Sequence, residues 1–459
     1  MYFELVYDKS LAQASYIIGC QKAGIAAVID PKRDVDTYLK IAEENNFKIT
    51  HILETHIHAD FLCGSRELEA ITGGELYLSD EGDEDWKYEF PHNKVKHGDV
   101  IKVGNISIEA IYTPGHTPEH LSFLLTDHPA TDKPAMLFTG DFVFVGDVGR
   151  PDLLEQAAGI KDTQEKGAHD LFDSLQDFVN MEDYILLWPG HGAGSACGKA
   201  LGAVNMSTIG YEKIRNWALQ LLNDKAKFTD ELLADQPEPP RYFAMMKKLN
   251  KVDRKLLTEV PEIKNLSKEE YLETKAKKLK LIDTRSKKAF SAGYLKGALN
   301  IPNDNSFSTW MGWFLNYEEH FVLLGNSDEI EELTRKLMRI GMDNIYGFIT
   351  PEQFMEFEKE NLSSYTPIDK DSVKNKMKDT AVQIIDVRGE AEYKEGHIDG
   401  AENVFIGTMD ENTDEISKEK PVIIYCSSGN RSAIAFSLLV AKGFDNILNY
   451  GGGWSEWSN

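Results

Sequence analysis

The feature that most constrains this chain is an internal repeat in its second half. Leu281–Arg285 (LIDTR) matches Ile384–Arg388 (IIDVR). Gly293–Ile301 matches Gly396–Val404, and Ile340–Ile345 matches Lys442–Ile447. Asp283 and Asp386 lie 103 residues apart, Gly297 and Gly400 also 103, and Gly341 and Gly443 102. A near-constant offset over this length, with one single-residue indel, requires two copies of one folding unit. Each copy alternates short apolar runs with helical patterns, which predicts an open, mainly parallel sheet covered by helices. The first half shows no such repeat. At 459 residues the chain exceeds what one hydrophobic core supports, so several domains are expected. We place them at 1–255, 260–361 and 366–459, with the Pro-rich interruption 235–240 still inside the first.

That first domain is organised around Glu54-Thr55-His56-Ile57-His58-Ala59-Asp60-Phe61. An apolar run, Ile49–Leu53, precedes it and a helical pattern, Ser65–Ile71, follows, so the histidines sit where a strand turns into a helix. Two imidazoles two residues apart can converge on one ion. His116, Asp141 and His191 each follow a further expected strand: Ile106–Tyr112, Met136–Thr139 and Tyr184–Trp188. Helices are expected over Asp34–Glu44, Ala168–Val179 and Tyr242–Leu249. Asp30, at the end of the strand Ile25–Asp30, is positioned to orient the metal loop rather than to bind the ion. Arg150 either steers an anionic substrate or pairs with Asp147 or Asp152. The small-residue loop 192–198 carries Cys197, close enough after His191 to hold sulfur at the metal or to be a plain buried thiol.

The second repeat contains the other reactive group. Val422–Tyr425 is a buried-strand pattern, Cys426-Ser427-Ser428-Gly429-Asn430-Arg431-Ser432 follows, and a helical pattern runs on to Val440. Backbone N–H groups in such a turn, a helix N-terminus and Arg431 all favour negative charge on the cysteine sulfur and on a bound anion. This stretch resembles rhodanese, the sulfurtransferase family that carries sulfane sulfur as a cysteine persulfide; Cys426, Gly429, Arg431 and Ser432 match its loop. The resemblance implies Cys426 and Arg431 as catalytic groups, with Ser427, Ser428, Gly429, Asn430 and Ser432 lining the substrate. The first copy has Phe321–Asp328 at this place, with neither cysteine nor arginine, and is expected to be an inactive spacer.

The metal constellation resembles the metallo-β-lactamase superfamily, a sandwich of two sheets flanked by helices. Its dinuclear hydrolases have histidine where this chain has Phe61. A phenyl ring offers no lone pair, so one ion is expected rather than two. A mononuclear site of this kind fused to rhodanese copies resembles the persulfide dioxygenase–sulfurtransferase fusions. That resemblance implies one Fe(2+) per chain held by His56, His116 and Asp141, with His58, Asp60 and His191 behind them. It implies thiol persulfide, O2 and sulfite as small-molecule partners; Arg150 and Cys197 are the candidate substrate contacts read from their own positions. The alternatives are a zinc thioester hydrolase of the glyoxalase II kind and a non-catalytic sulfane-sulfur sensor or scaffold.

The formal net charge of −25 argues against binding to nucleic acid or anionic membranes. Four scattered cysteines (Cys20, Cys63, Cys197, Cys426) fit free thiols in a reducing compartment. No basic-then-apolar leader and no apolar run of about 20 residues is present. A cytoplasmic homo-oligomer is expected.

Overall fold

The computed structural model describes residues 1–153, 163–195, 197–198, 201–378 and 382–459; Ala196 of the expected small-residue loop lies outside them. The chain divides into two compact units, one of residues 1–261 with 338–341, the other of 262–337 with 342–459.

The first unit is built on two six-stranded sheets. One runs in chain order through β1 (Tyr2–Asp8), β2 (Gln13–Cys20), β3 (Ile25–Ile29), β4 (Lys48–Leu53), β5 (Glu75–Ser79) and β6 (Asn93–Val95). The other runs through β7 (Val100–Val103), β8 (Ile106–Tyr112), β9 (Leu121–Asp127), β10 (Met136–Gly140), β11 (Leu186–Pro189) and β12 (Ser207–Thr208). Strand alternation sorts the side chains into layers. In β2, Tyr16 and Ile18 face the core between the sheets together with Ile108, Phe123 and Phe138. Ile17, between them, joins the outer layer of Val28, Ile52 and Leu76. That layer is covered by helix Asp36–Glu44, through Tyr38 and Ile41, and helix Ser65–Thr72, through Leu68. The second sheet's outer face packs Leu137 and Leu187 against Leu171, Phe172 and Leu175 of helix Thr163–Phe178. This helix begins earlier than the apolar pattern from Ala168 suggests, because its first turn is polar and leaves no periodic signal. The result is the expected αββα sandwich, with the functional loops at the strand ends.

The second unit contains both repeats, each a four-stranded parallel sheet in the same order. The first orders β15 (Leu299–Asn300), β13 (Lys280–Asp283), β16 (Phe321–Leu324) and β17 (Ile345–Ile349). The second orders β20 (Glu402–Asn403), β19 (Gln383–Asp386), β21 (Val422–Tyr425) and β22 (Ile447–Asn449). A short ribbon, β14 (Tyr294–Leu295) with β18 (Leu362–Ser363), completes the strands. The matching motifs make matching bonds. Arg285 grips Asp283 bidentately (2.9 and 2.6 Å) and the Gly293 carbonyl (2.9 Å). Arg388 does the same to Asp386 (3.0 and 2.7 Å) and Gly396 (2.6 Å). The Asp-x-Arg signature is therefore a bracket for the strand end, present with or without a thiol. The copies pack on each other through Tyr294 edge-on to Phe436 (ring centroids 5.7 Å) and the Asn300 N–H on Ser437 Oγ (3.0 Å).

Candidate functional site

The first site lies where β4, β8, β10 and β11 end. Asp30, at φ 50°, accepts the Thr55 N–H (2.7 Å) on one carboxylate oxygen and the Thr55 hydroxyl (2.8 Å) on the other. Because that hydroxyl donates to Asp30, its oxygen accepts from His56 Nδ1 (2.9 Å). The proton is thus on Nδ1 and the lone pair of His56 is on Nε2. His116 is fixed the same way: its Nδ1 faces the Arg150 carbonyl at 2.8 Å, and a carbonyl can only accept. His191 Nδ1 faces the Ala12 carbonyl (3.2 Å). Burial, reinforced by His58 and His116, holds His56 well below the usual imidazole range, so it is neutral.

His56 Nε2 and His116 Nε2 point at Asp141 Oδ2, 3.9 and 3.5 Å away. His56 Nε2 and both Asp141 carboxylate oxygens are buried without a hydrogen-bond partner. Two imidazole nitrogens and a carboxylate converging in a buried place, with His56 Nε2 and both carboxylate oxygens bare, fit a divalent cation and fit little else, because leaving such atoms bare is costly. The donor set suits non-haem iron(II) or zinc. Gly190 permits the arrangement, since a Cβ there would lie 2.5 Å from Asp141 Oδ1.

The other expected residues stand around this triad. His58 turns away to Asp30 (3.1 Å); burial opposes its charge, but Asp30 wins and raises it above the usual value. Asp60 pairs with His191 (3.1 Å), whose Nε2 is 3.5 Å from Asp141 Oδ1. Asp60, His191 and Cys197 form a second convergent set. Burial, with Asp60 and Asp141 adding, pushes the Cys197 thiol up to about 12, so it is protonated at neutral pH. Phe61 is buried with its ring 4.3 Å from that of His58, an apolar wall. Of the two roles open to Arg150, the structure shows the pairing with Asp152. Its side chain is buried, bidentate to Asp152 (2.8 and 2.6 Å) and bonded to the Pro237 carbonyl (2.7 Å). Its backbone carbonyl orients His116.

Three further residues that hold the site's backbone were not among the expected site residues. His120 Nε2 accepts the Asp141 N–H (3.1 Å), while its Nδ1 faces Thr113 Oγ1 (2.8 Å). Glu119 accepts the Ile57 N–H (2.7 Å), and burial pushes its carboxyl up to about 7. Asn250, one residue beyond the expected helix, donates to the His58 and Phe61 carbonyls (both 2.8 Å) and accepts the Cys63 N–H (2.8 Å). A histidine four residues after a ligand was the only available hint.

The second site is the loop after β21. Cys426 is buried, and its Sγ accepts the Gly429 N–H at 3.1 Å. Gly429 has φ 86°, and a Cβ there would meet the Gly451 carbonyl at 2.3 Å, so only glycine makes this turn. Ser427 is half-buried with its hydroxyl 3.2 Å from Ser455, Ser428 and Asn430 are exposed, and Ser432 Oγ is buried without a partner. Arg431 is not a free charge: it forks onto Glu392, with Nη2 to Oε1 at 2.7 Å and a still shorter Nη1 bond to Oε2. At the equivalent strand end, after β16, the first copy has Gly325.

These two sites, one on an αββα sandwich and one on a repeated parallel α/β fold, define a fusion of two enzyme-like architectures. The metallo-beta-lactamase superfamily profile matches residues 11–191, and the rhodanese-like domain profile matches 267–348 and 369–459. The crystal structure of a metallo-beta-lactamase from Staphylococcus aureus subsp. aureus COL is 45% identical, with a TM-score of 0.72 over 76% of this chain and 99% of its own. The chain belongs to the metallo-beta-lactamase superfamily, as a domain of that kind followed by tandem rhodanese-like domains. It is 26% identical over 243 residues to persulfide dioxygenase ETHE1, mitochondrial, of Bos taurus, covering 51% of this chain and 82% of that protein. It is 33% identical over 178 residues to the hydroxyacylglutathione hydrolase of Rhodospirillum rubrum, covering 38% of this chain and 60% of the hydrolase. Among the described residues no helix is long and apolar enough to cross a membrane.

Proposed function

We propose that this protein oxidises the terminal sulfur of a low-molecular-weight thiol persulfide to sulfite and passes sulfane sulfur through Cys426 to sulfite, giving thiosulfate. The observation that carries this reading is the coexistence, on one chain, of a buried two-histidine, one-carboxylate cluster and a cysteine loop of the sulfurtransferase type. The first reaction balances as R–SSH + O2 + H2O → R–SH + SO3(2−) + 2 H+. An iron(II) held by His56, His116 and Asp141 would supply redox chemistry and open positions for sulfur and dioxygen, which zinc cannot do in full. Thr55 and the Arg150 carbonyl keep both imidazoles in the metal-binding tautomer. Phe61 adds an apolar wall beside His58, and Cys197, a neutral thiol, lies with Asp60 and His191.

In the second reaction the Cys426 sulfur attacks the outer sulfur of a persulfide. The S–S bond of the donor breaks, the carrier thiolate leaves, and Cys426 holds the sulfur as a persulfide. Sulfite then attacks that outer sulfur, forming thiosulfate and returning Cys426. The first copy, with Gly325 in place of the thiol, cannot carry persulfide sulfur at its own strand end.

A second reading rests on the Asp60, His191 and Cys197 set beside Asp141 and on the likeness to hydroxyacylglutathione hydrolase. In it a second ion makes the site a dinuclear thioester hydrolase. Protein purified without oxygen, assayed for metal content and for oxygen uptake with glutathione persulfide, separates the two. One iron per chain and one O2 per persulfide support the dioxygenase; two zincs per chain and oxygen-independent cleavage of an acyl-glutathione overturn it. Cys426→Ser should leave oxygen uptake intact and shift the product from thiosulfate to sulfite, and undiminished thiosulfate would refute the division of labour.

A further inference from the structure

The Cys426 loop turns its carbonyls outward, and each finds a donor. The Cys426 carbonyl accepts the Trp454 N–H (2.7 Å) and the Ser427 carbonyl accepts the Ser455 N–H (2.9 Å), both from the loop's own copy. The third, of Ser428, accepts the ammonium of Lys287 at 2.7 Å. Lys287 belongs to the first copy, at the start of helix Lys287–Ala292. The peptide unit it grips is the one whose N–H, on Gly429, donates to Cys426 Sγ at 3.1 Å. A cation on the oxygen of a peptide polarises the whole unit and strengthens the N–H on its far side.

We propose that the thiol-less copy completes the neighbouring active site by supplying Lys287, which acts through the Ser428–Gly429 peptide to stabilise negative charge on Cys426. Lys287 is thus a positioning residue contributed in cis by the repeat that has lost its own chemistry. Its charge is available for this role. Among the described residues no carboxylate lies within ion-pair range of Lys287, whereas Arg431, the obvious cation of the loop, is forked onto Glu392. The ammonium is also close to the turn itself, 3.2 Å from where a Gly429 Cβ would sit. The mount is rigid: Tyr294 and Tyr365 pack on Phe436, and the Asn300 N–H bonds Ser437 Oγ, on the helix Asn430–Ala441 that begins at the end of the thiol loop. This arrangement gives the first copy a chemical reason to be retained.

The role of Lys287 deepens the sulfurtransferase part of the proposed function, but alkylation tests it without any persulfide, oxygen or metal chemistry. The full-length protein and its Lys287→Met, Lys287→Gln and Lys287→Arg variants are treated with iodoacetamide at neutral pH. Labelling of Cys426 is followed by peptide mass mapping, with Cys426→Ser as the blank. Loss of the charge should slow labelling about five-fold, the scale of one partly solvated charge interaction. Arginine should restore the rate to within about two-fold, since it keeps the charge and the donor. Iodoacetate, an anion, should be slowed more than iodoacetamide, because the site also loses an attractive charge. Unchanged rates in Lys287→Met, or equal slowing in Lys287→Arg with unaltered thermal unfolding in all variants, would overturn the proposal. A persulfide-dependent activity that fails while alkylation behaves as stated would count against the proposed reaction and not against Lys287.

Discussion

Thr55→Val isolates the device that prepares His56 for a metal. Valine matches threonine in shape, so neither a cavity nor a clash is introduced. The hydroxyl it removes bridges Asp30 Oδ2 (2.8 Å) and His56 Nδ1 (2.9 Å), both buried. Asp30 keeps the Thr55 N–H (2.7 Å) and His58 (3.1 Å), so most of the loop stays anchored. His56 Nδ1–H loses its acceptor, at a cost of about 1–3 kcal/mol for a buried donor left bare. The imidazole can escape that cost by turning or by moving its proton to Nε2, and either removes the lone pair aimed at Asp141. Metal affinity should fall about 10–100-fold, about 1.4–2.7 kcal/mol, the usual effect of losing a residue that orients a ligand. Thr55→Ser keeps the hydroxyl and should bind within about three-fold of the parent, losing only methyl packing. Competition with a chelator of known affinity measures the constants, using iron(II) without oxygen or zinc in air. Equal affinity for parent and valine variant, at comparable thermal stability, would refute the relay from Asp30 through Thr55 to His56.

Two further perturbations test other parts of the fold. Gly190→Ala places a Cβ 2.5 Å from Asp141 Oδ1, so the carboxylate must move; metal content after dialysis should drop at least about ten-fold, while the second unit's Cys426 alkylation is unaffected. Glu67 is buried between Arg33 (3.0 Å) and Arg254 (2.8 Å); burial opposes its charge, yet the two guanidiniums hold it below the usual 4.5. A depressed carboxyl stabilises the fold fully above its unfolded value and loses that contribution as pH falls through the folded one. Glu67→Gln should therefore cost about 1.5–3 kcal/mol in denaturant unfolding at pH 7, by removing the carboxylate that Arg33 and Arg254 share, with the gap to the parent closing below about pH 4. A gap that widens in acid would contradict the assignment.

Much of this architecture was written in local pattern. Strand alternation in β2, the stripe Tyr38 and Ile41, and the 103-residue spacing of Asp283 and Asp386 each state a face or a copy within a few residues, so layers and repeats follow from chain order alone. His56, His116 and Asp141 were recognisable as a candidate metal set because each follows an apolar run that stops, the mark of a strand end. What surrounds them was not. Arg150 and Asp152 could be paired or apart on the same sequence; only burial, which makes an unpaired guanidinium untenable, drives Arg150 onto Asp152. His120, Asn250 and Lys287 act on backbone groups 21, 192 and 141 residues away in the chain. A hydrogen bond to a backbone atom leaves no residue type to match at the far end, so periodicity and motif are blind to it. The ligands belong to the linear code; their orientation belongs to folding, because it depends on which distant carbonyls and N–H groups packing brings within three ångströms.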